Sequence, residues 1–372
     1  MPKAVIAGAG INGLSTAWAL VQTGWTVEIC ESGPLPNPRA ASWDRHRLIR
    51  PHYAESPGYA ARMPDAFAAW DKLWSDLGTS HYVERGILAL SRVPGDWTET
   101  SRAAFDASGQ TYDLLSASEV AERYPMLDPD GVRFGLMTDR GGVLLSDRII
   151  ADLIAWLRVR GVTFHDKRPA TGVDPASGRL DTVAGPLQGD LAIVATGVGL
   201  PALLPPDLDL PLEPRRTVVV YLDPSDDLAA LWADAPCWVD LGGTDDLWGM
   251  APVGDIPMKI GYGLHTGPGD PVKGRTVTPA DTEAILAAYR GRFRGIDRFT
   301  VRETIANFYL MAPDARFLLH HDRRAVWLSA DSGHGFKFGP LTGLDVARAA
   351  ESGTWDATAR RMAGLELPGA SV

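Results

Sequence analysis

Residues 4–31 restrict the fold more than any other stretch of this chain. Ala4–Ala7 is an apolar run typical of a buried strand, and the sequence GAGING follows at once over Gly8–Gly13. Apolar residues then repeat at helical spacing up to Gly24, and Thr26–Cys30 predicts a second strand that ends on Glu31. A strand, a GxGxxG turn, a helix, a strand and an acid within about 30 residues form the fingerprint of a dinucleotide-binding unit.

Each glycine of this fingerprint has a physical task. Gly8 permits the tight turn, Gly10 lets the backbone approach a pyrophosphate, and Gly13 lets the helix pack closely on the strand. The helix N-terminus offers free N–H groups and a positive dipole end to phosphates. Glu31 is placed to accept from ribose hydroxyls and would repel a 2′-phosphate. We therefore predict a bound adenine dinucleotide; the alternative is a glycine-rich turn that binds no cofactor.

Length and charge limit the class of protein. A chain of 372 residues is too long for one ordinary core, so we expect two domains. The net charge of −10 disfavours nucleic acid and anionic membranes as partners. No apolar run reaches the ~18 residues of a spanning helix, and a first strand at residue 4 leaves no room for a signal peptide. Two cysteines suggest neither a disulfide framework nor a metal site, so we expect a cytoplasmic protein without a metal.

The order of the predicted elements indicates a divided nucleotide domain. Leu191–Gly197 predicts a buried strand with a glycine turn, and Ala325–Ala330 predicts another before the glycines near 333. Between them, strands dominate from Thr217 to Ile260. We predict an α/β fold (α+β overall), with a Rossmann-like domain and an inserted, mostly antiparallel-sheet substrate domain. The expected boundaries are 1–82, 141–212 and 318–372 for the nucleotide domain, and 83–140 and 213–317 for the substrate domain.

A short charged segment follows the fingerprint. Ser42–Arg50 contains Arg45, Arg47 and Arg50 beside two aliphatic residues that favour burial. A solvated basic turn is one explanation. The alternative is that Arg47 and Arg50 enter a cleft, where each would need an anionic partner. The neighbouring His46 and His52 could lie behind the residues that contact the substrate, but we expect them to be surface residues.

Four motifs occur in one order along nearly the whole chain: the fingerprint ending at Glu31, RLIR at Arg47–Arg50, KIGY at Lys259–Tyr262 and SGHGFKF at Ser332–Phe338. Together they resemble monomeric sarcosine oxidase and N-methyltryptophan oxidase, within the wider D-amino-acid/glycine oxidase group of flavoproteins. The resemblance implies FAD as cofactor and a carboxylated amine as substrate. It also implies oxidation of a secondary amino acid to an imine, with O2 reduced to H2O2, by a monomeric protein.

The resemblance also implies roles for four cations. Arg50 and Lys337 would hold the substrate carboxylate, since two cations that converge on one anion fix its orientation. Arg47 would lie near the flavin ring. Lys259 would promote oxygen reduction, because a fixed ammonium stabilises the anion formed by the first electron. The alternatives are a surface position for Lys337 and an edge-strand position for Lys259.

The sequence departs from the family pattern at two places. Asn307 stands where the pattern has the cysteine that anchors FAD, and asparagine cannot form a thioether, so we predict non-covalent FAD. Trp248 stands where the sarcosine enzymes carry a pocket tyrosine, and Gly263 where they carry a histidine, whereas Tyr309 keeps its aromatic place. The side-chain pocket is therefore expected to differ, which makes another N-alkyl or cyclic amino acid a better candidate than sarcosine.

The complete set of predicted site residues has two parts. The predicted catalytic and substrate-binding residues are Lys259, Arg47, Tyr309, Trp248, Arg50, Lys337 and Gly333. The predicted FAD contacts are Gly8, Gly10, Ile11, Asn12, Gly13, Glu31, Ser32, Ser42, Arg47, Leu48, Val173, Ala195, Thr196, Gly197, Gly333, Gly335, Phe336 and Lys337.

Three other functions remain open. An FAD-dependent dehydrogenase would pass its electrons to a carrier other than O2. A nicotinamide-dependent dehydrogenase is disfavoured, because it has no use for a three-piece nucleotide domain or for the SGHGFKF motif. A non-catalytic flavin-binding protein would not need Arg50, Lys259 and Lys337 together.

Overall fold

The computed structural model describes residues 1–54, 56–241 and 245–366. The strands are β1 (Lys3–Ala7), β2 (Thr26–Cys30), β3 (Arg47–Ile49), β4 (Tyr82–Glu84), β5 (Ile87–Ser91), β6 (Asp113–Ser116), β7 (Phe134–Thr138), β8 (Gly142–Leu144), β9 (Thr163–His165), β10 (Ala170–Asp174), β11 (Arg179–Thr182), β12 (Leu187–Gln188), β13 (Leu191–Val194), β14 (Glu213–Asp223), β15 (Cys237–Asp240), β16 (Leu247–Met250), β17 (Met258–Tyr262), β18 (Gly267–Pro268), β19 (Thr300–Met311), β20 (Leu318–Asp322) and β21 (Ala325–Ser329). The helices are α1 (Ile11–Gln22), α2 (Pro57–Leu77), α3 (Trp97–Ser108), α4 (Ala117–Arg123), α5 (Ser146–Val159), α6 (Asp226–Ala233), α7 (Pro279–Tyr289), α8 (Gly339–Ser352) and α9 (Trp355–Met362).

The first large sheet carries the dinucleotide fingerprint. Its strand order is β20-β21-β13-β1-β2-β9, and every pair is parallel except β20 with β21. Helices α1 and α8 pack against each other beside it; a Cβ on Gly343 would lie 2.2 Å from the Ser15 carbonyl oxygen, so glycine permits that approach. Both faces of β1 and β13 are covered, which explains their uninterrupted apolar sequences.

The second large sheet has nine strands and comes from the middle of the chain. Its order is β18-β14-β17-β16-β15-β5-β7-β6, with β19 also paired to β14. All neighbours are antiparallel except β5 with β15. An aromatic core that includes Trp232, Trp238, Tyr289 and Phe293 lies against this sheet. The predicted fold class is confirmed, and the expected domain boundaries stay a proposal that this separation of sheets supports.

Local signals predicted several elements closely. The sequence predicts a strand over Met258–Tyr262, which is β17, and a strand over 82–90 with a break at Gly86 (φ 69°), which separates β4 from β5. Ser116 and Glu119 have the spacing that predicts a capping box. The Ser116 side chain accepts from the Glu119 N–H, while the Glu119 carboxylate accepts from the Ser116 N–H, so this prediction is confirmed. A helix is also predicted over 55–78; the observed helix spans Pro57–Leu77, and position 55 lies outside the described residues.

Other elements were missed or misplaced by the sequence analysis. Helices α3, α6 and α9 were not predicted, nor was β19, whose first residues are polar and exposed. The last helix that the sequence predicts, Leu344–Glu351, is α8, and it begins five residues earlier than predicted, at Gly339. No helix among the described residues is both long and apolar enough to cross a membrane.

Candidate active site

One cavity of about 1540 Å³ is lined by residues from both large sheets. It runs from the fingerprint at the ends of β1 and β2 to the wall formed by β14, β16 and β17. This volume exceeds the roughly 300–1,000 Å³ that is usual for a small-molecule pocket. A dinucleotide and a substrate therefore both have room.

The fingerprint glycines shape one end of this cavity. Gly8 has φ 103°, and a Cβ there would lie 2.4 Å from the Ala195 carbonyl oxygen. Gly13 packs on Gly8, and a Cβ on Gly13 would lie 2.0 Å from the Gly8 carbonyl oxygen. Ser42 accepts the N–H of Ile11 at 2.9 Å, which fixes the start of α1. The turn is thus held so tightly that only glycine fits its two closest points.

Glu31 organises the adjacent loop. Its Oε1 accepts from the Ser32 hydroxyl at 2.9 Å, from the Gly33 N–H at 3.0 Å and from the Asn37 amide at 2.8 Å. Its Oε2 accepts one bond, from the Ala9 N–H at 2.9 Å. Because a carboxylate oxygen can accept two bonds, Oε2 retains capacity for a ribose hydroxyl.

The residues at this end fit a flavin dinucleotide. Among the described residues, the buried Asn12 Oδ1 and Thr196 Oγ1 have no hydrogen-bond partner, so both can contact a bound group. Most of the predicted FAD contacts line the cavity, namely Gly8, Gly10, Ile11, Asn12, Glu31, Ser32, Ser42, Arg47, Leu48, Ala195, Thr196, Gly197, Gly333, Gly335, Phe336 and Lys337. Val173 and Gly13 do not line it: Val173 packs beside the apolar core under β13, and Gly13 supports the turn from behind.

Replacing Gly8 with alanine is expected to abolish FAD retention and to lower the melting temperature. The added Cβ would overlap the Ala195 carbonyl, and the backbone has a positive φ that alanine rarely adopts. Gly24→Ala is the matched control, because Gly24 also has a positive φ (86°) but nothing lies within 4 Å of the point that a Cβ would occupy there. Flavin absorbance per protein after gel filtration measures the result; equal retention by the two variants would contradict this account of the turn.

Elsewhere in the lining of the cavity, Arg50 and Lys337 meet around one tyrosine. The Arg50 guanidinium lies 5.3 Å from the centre of the Tyr53 ring, and the Lys337 ammonium lies 5.2 Å from it. Lys337 Nζ donates to Tyr53 Oη at 3.2 Å, and Arg50 donates to the His52 carbonyl. Among the described residues neither cation has a carboxylate within ion-pair distance. We call Arg50 and Lys337 the cationic pair.

Burial disfavours the charged form of both members of the cationic pair. Burial lowers the pKa of Lys337 well below its usual value, and the charge of Arg50 lowers it further. Burial also lowers the pKa of Arg50. A bound carboxylate would relieve both effects, so this place in the cavity is suited to an anionic group.

Hydrogen bonds set the state of the neighbouring tyrosine. His334 Nε2 lies 2.8 Å from the Ala315 carbonyl and must donate to it, which leaves Nδ1 as the acceptor for the Tyr53 hydroxyl at 2.9 Å. Burial, followed by the charges of Lys337 and Arg50, lowers the pKa of His334 to about 3, so the imidazole is neutral. Tyr53 Oη therefore donates to His334 and accepts from Lys337.

Lys259 belongs to a different buried network, centred on Asp44. Lys259 Nζ donates to Asp44 Oδ2 at 2.5 Å and to the His46 carbonyl at 3.1 Å. Arg47 and the Tyr221 hydroxyl also donate to the Asp44 carboxylate. Burial lowers the pKa of Lys259 to about 8, and Asp44 opposes that change, so the ammonium form prevails at pH 7. Burial raises the pKa of Asp44, but the charges of Lys259 and Arg47 outweigh this effect and hold the pKa far below its usual range.

The expectation that His46 and His52 are surface residues is wrong. Both are fully buried, and among the described residues none of their ring nitrogens has a hydrogen-bond partner. His46 stacks on Tyr221 with ring centres 5.6 Å apart, and His52 stacks on Trp97 at 5.9 Å. Burial lowers the pKa of His46 to about 3, so it packs as a neutral ring. Because His46 and Asp44 are buried, the segment Ser42–Arg50 is not a solvated basic turn.

Two aromatic side chains line the cavity between the networks. Trp248 lies on β16 opposite Gly261 of β17, and a Cβ on Gly261 would lie 2.3 Å from the indole. Tyr309 lies on β19, and Gly333 approaches it closely enough that a Cβ would be 3.2 Å from its ring. Glycines on neighbouring segments thus make room for both rings. Among the described residues no group of three His, Cys, Asp or Glu side chains could hold a metal ion.

Comparison with known proteins decides the family. The profile of the family DAO, FAD dependent oxidoreductase, matches residues 3–349. The chain belongs to the DAO family. It is therefore an FAD-dependent oxidoreductase, as the resemblance implied, and FAD is an adenine dinucleotide, as the fingerprint predicted.

The relatives of this DAO-family chain agree with the predicted resemblance. Peroxisomal sarcosine oxidase of Homo sapiens is 26% identical over 364 residues, which cover 91% of this chain and 90% of the relative. N-methyl-L-tryptophan oxidase of Yersinia pestis is 23% identical over 367 residues, with 93% and 94% covered. Among solved structures, NikD, an unusual amino acid oxidase essential for nikkomycin biosynthesis, superposes with a TM-score of 0.82 at 19% identity, covering 100% of this chain and 99% of the other.

Sequence reasoning missed three residues of the DAO-family site. Asp44 lies inside the charged segment, and the need of Arg47 for a buried anion was a usable signal for it. Tyr53 follows the same segment, but nothing local shows that it joins Arg50 to Lys337. Asp246 lines the cavity two residues before Trp248 and had no signal of its own.

Proposed function

We propose that the protein oxidises the C–N bond of a secondary amino acid, N-alkyl or cyclic, to an imine and reduces O2 to H2O2. The observation that carries this proposal is the cationic pair, two cations without a carboxylate partner among the described residues, in the same cavity as the dinucleotide end. The DAO-family relatives named for sarcosine and N-methyl-L-tryptophan support the same substrate class.

The chain's own residues would act in distinct ways. The cationic pair would bind the substrate carboxylate and so fix which C–N bond faces the cofactor. Trp248 and Tyr309 would surround the amine and exclude water, which favours the neutral amine that can lose a hydride. FAD, when bound, supplies the acceptor for that hydride. Lys259, fixed as an ammonium by Asp44, would stabilise the superoxide anion formed when O2 accepts the first electron.

A dehydrogenase that passes electrons to another carrier is the second candidate. The observation that favours it is the ion pair between Lys259 and Asp44, since a carboxylate at 2.5 Å offsets much of the positive charge that O2 reduction would use. Measured rates decide between the two candidates. Anaerobic bleaching of the flavin by an N-alkyl or cyclic amino acid tests the substrate class. Rapid recolouring in air with release of peroxide supports the oxidase, whereas slow recolouring supports the dehydrogenase.

We also propose that FAD is held without a covalent bond. Asn307 lines the cavity and its amide lies 3.4 Å from Asp44, where the family pattern has a cysteine. Cys30 lines the dinucleotide end, but burial and the neighbouring Glu31 raise the pKa of its thiol to about 11, so it is a poor nucleophile. Cys237 is buried away from the cavity.

Acid precipitation of the holoprotein is expected to leave the yellow flavin in the supernatant. Denaturation removes every non-covalent contact, whereas a thioether would keep the flavin with the pellet. Flavin absorbance of both fractions measures the outcome, and colour in the pellet would contradict non-covalent binding. We further propose a cytoplasmic location, which the two free and buried thiols of Cys30 and Cys237 support, and a monomeric state, which relatives named monomeric sarcosine oxidase support.

A further inference from the structure

Asp246 is a carboxylate in the cavity that the proposed chemistry does not use. It immediately precedes β16, and its carbonyl accepts the N–H of Gly263 at 2.7 Å. It lines the same cavity as Arg50 and Trp248. Asp246 therefore faces the region in which a substrate held by the cationic pair would lie.

The position of this carboxylate depends on a glycine. A Cβ on Gly263 would lie 1.7 Å from Asp246 Oδ2 and 2.2 Å from its Cγ. Any other residue at position 263 would therefore displace the carboxylate. Gly263 also lines the cavity, so the acid occupies a volume that a side chain at 263 would otherwise fill.

The described residues leave Asp246 without a direct counter-charge. Within residues 1–54, 56–241 and 245–366, no donor lies at hydrogen-bond distance from its carboxylate. Burial raises the pKa of Asp246, and the more distant charge of Arg50 opposes that rise. Its neighbour Asp245 differs, since it does not line the cavity and pairs with Arg292 at 2.7 Å. A cation supplied by a ligand would stabilise the charged form of this carboxylate.

The reacting amine is a poor candidate for that cation. Hydride transfer needs a neutral nitrogen, and a carboxylate in contact with the amine would hold its proton and raise its pKa. A second nitrogen on the substrate has no such conflict. It would contact Asp246 while the cationic pair binds the substrate carboxylate.

We propose that Asp246 binds a positively charged group on the substrate side chain, so that the preferred substrate is a secondary amino acid with a basic side chain. This inference rests on the proposed function and names the substrate class of the same cavity. The side chain of such a substrate extends past Trp248 to the Asp246 carboxylate, and Gly263 leaves the space for the contact.

The test compares Nα-methyl-lysine with N-methyl-norleucine, which has the same four side-chain carbons but no terminal ammonium. Binding is measured by titration calorimetry on the holoenzyme under anaerobic conditions, with the flavin reduced beforehand so that no ligand is oxidised. The native protein is expected to prefer Nα-methyl-lysine by about tenfold, the size of one partly solvated charged contact. Asp246→Asn should remove this preference, whereas Asp245→Asn should retain it.

Two results would overturn the inference. The first is equal binding of the two ligands by the native protein. The second is a preference that survives in Asp246→Asn; if that variant also loses affinity equally for both ligands, Asp246 lies at the reacting amine. Failure of the proposed function is recognised separately, because no carboxylated amine would then bleach the oxidised flavin. Bleaching by N-methyl-norleucine without any preference for Nα-methyl-lysine rejects the inference alone.

Discussion

Replacing Lys337 with methionine is expected to lower the affinity for carboxylated ligands by about two orders of magnitude. Removing one partner of a buried charged contact costs about 2–5 kcal/mol, and Arg50 would have to hold the carboxylate alone. Methionine keeps most of the side-chain volume, and it removes a buried cation that Arg50 repels. The melting temperature without ligand should therefore stay equal or rise, so that the loss is one of function and not of folding.

The measurement is a spectral titration of the oxidised holoprotein with methoxyacetate, a carboxylate that has no amine to oxidise. Lys72→Met is the matched control, because Lys72 is an exposed lysine of α2 whose Nζ contacts Gln22 at 2.6 Å. The control should bind methoxyacetate like the native protein. Unchanged affinity in Lys337→Met would reject the carboxylate site, whatever the substrate proves to be.

The same variant should lose one limb of the pH dependence. Burial and Arg50 depress the pKa of Lys337 in the free protein, and a bound carboxylate raises it. The affinity is therefore highest and constant below the pKa that Lys337 has in the free protein. Above that pKa it falls by up to tenfold per pH unit, because binding then requires proton uptake. The two neighbouring groups do not account for this fall, because burial raises the pKa of Tyr53 and His334, with a pKa of about 3, is already neutral. If the affinity of Lys337→Met still falls at alkaline pH, another group causes that fall.

Local sequence patterns predicted the parts of the molecule that are made locally. The fingerprint from Ala4 to Glu31 contains its turn, its helix and its neighbouring strand in one segment, so spacing alone specified it. The Ser116–Glu119 capping box is local in the same way. Helix α3 had an equivalent signal that was not used, since the Asp96 side chain accepts from the Glu99 N–H three residues later.

Partners that are distant in sequence could not be predicted from patterns. Asp44 and Lys259 are 215 residues apart, and Tyr53 and Lys337 are 284 residues apart. Their contacts exist because both large sheets meet at one cavity, which no spacing within a segment records. The buried histidines were misjudged for the same reason: His46 lies between charged residues in sequence but against Tyr221 in space. The resemblance supplied Lys259 and Lys337 as candidates, but not their partners.

Replacing Lys259 with methionine is expected to slow reoxidation of the reduced holoenzyme by O2 about 100- to 1,000-fold, the usual effect of removing one preorganised group that stabilises developing charge. Anaerobic reduction by substrate should change little, because Lys259 contacts Asp44 and the His46 carbonyl and not the cationic pair. Asp44 keeps Arg47 and Tyr221 as donors, so the variant is expected to fold. Stopped-flow absorbance of the flavin on mixing with oxygenated buffer measures the rate.

The charge of Lys259 also makes a pH prediction that separates the two candidate functions. Its pKa of about 8 implies that reoxidation of the native protein slows as the pH rises through that value and the ammonium is lost. Asp44→Asn removes the charge that opposes the burial effect, so the same fall should begin at lower pH. Lys273 is exposed and follows Val272 of the cavity lining, so Lys273→Met controls for loss of one positive charge and should leave both the rate and the profile unchanged. If native reoxidation is slow at every pH and Lys259→Met does not change it, O2 is not the acceptor. The carboxylate of Asp44 would then explain why a chain that carries Lys259 does not react rapidly with O2.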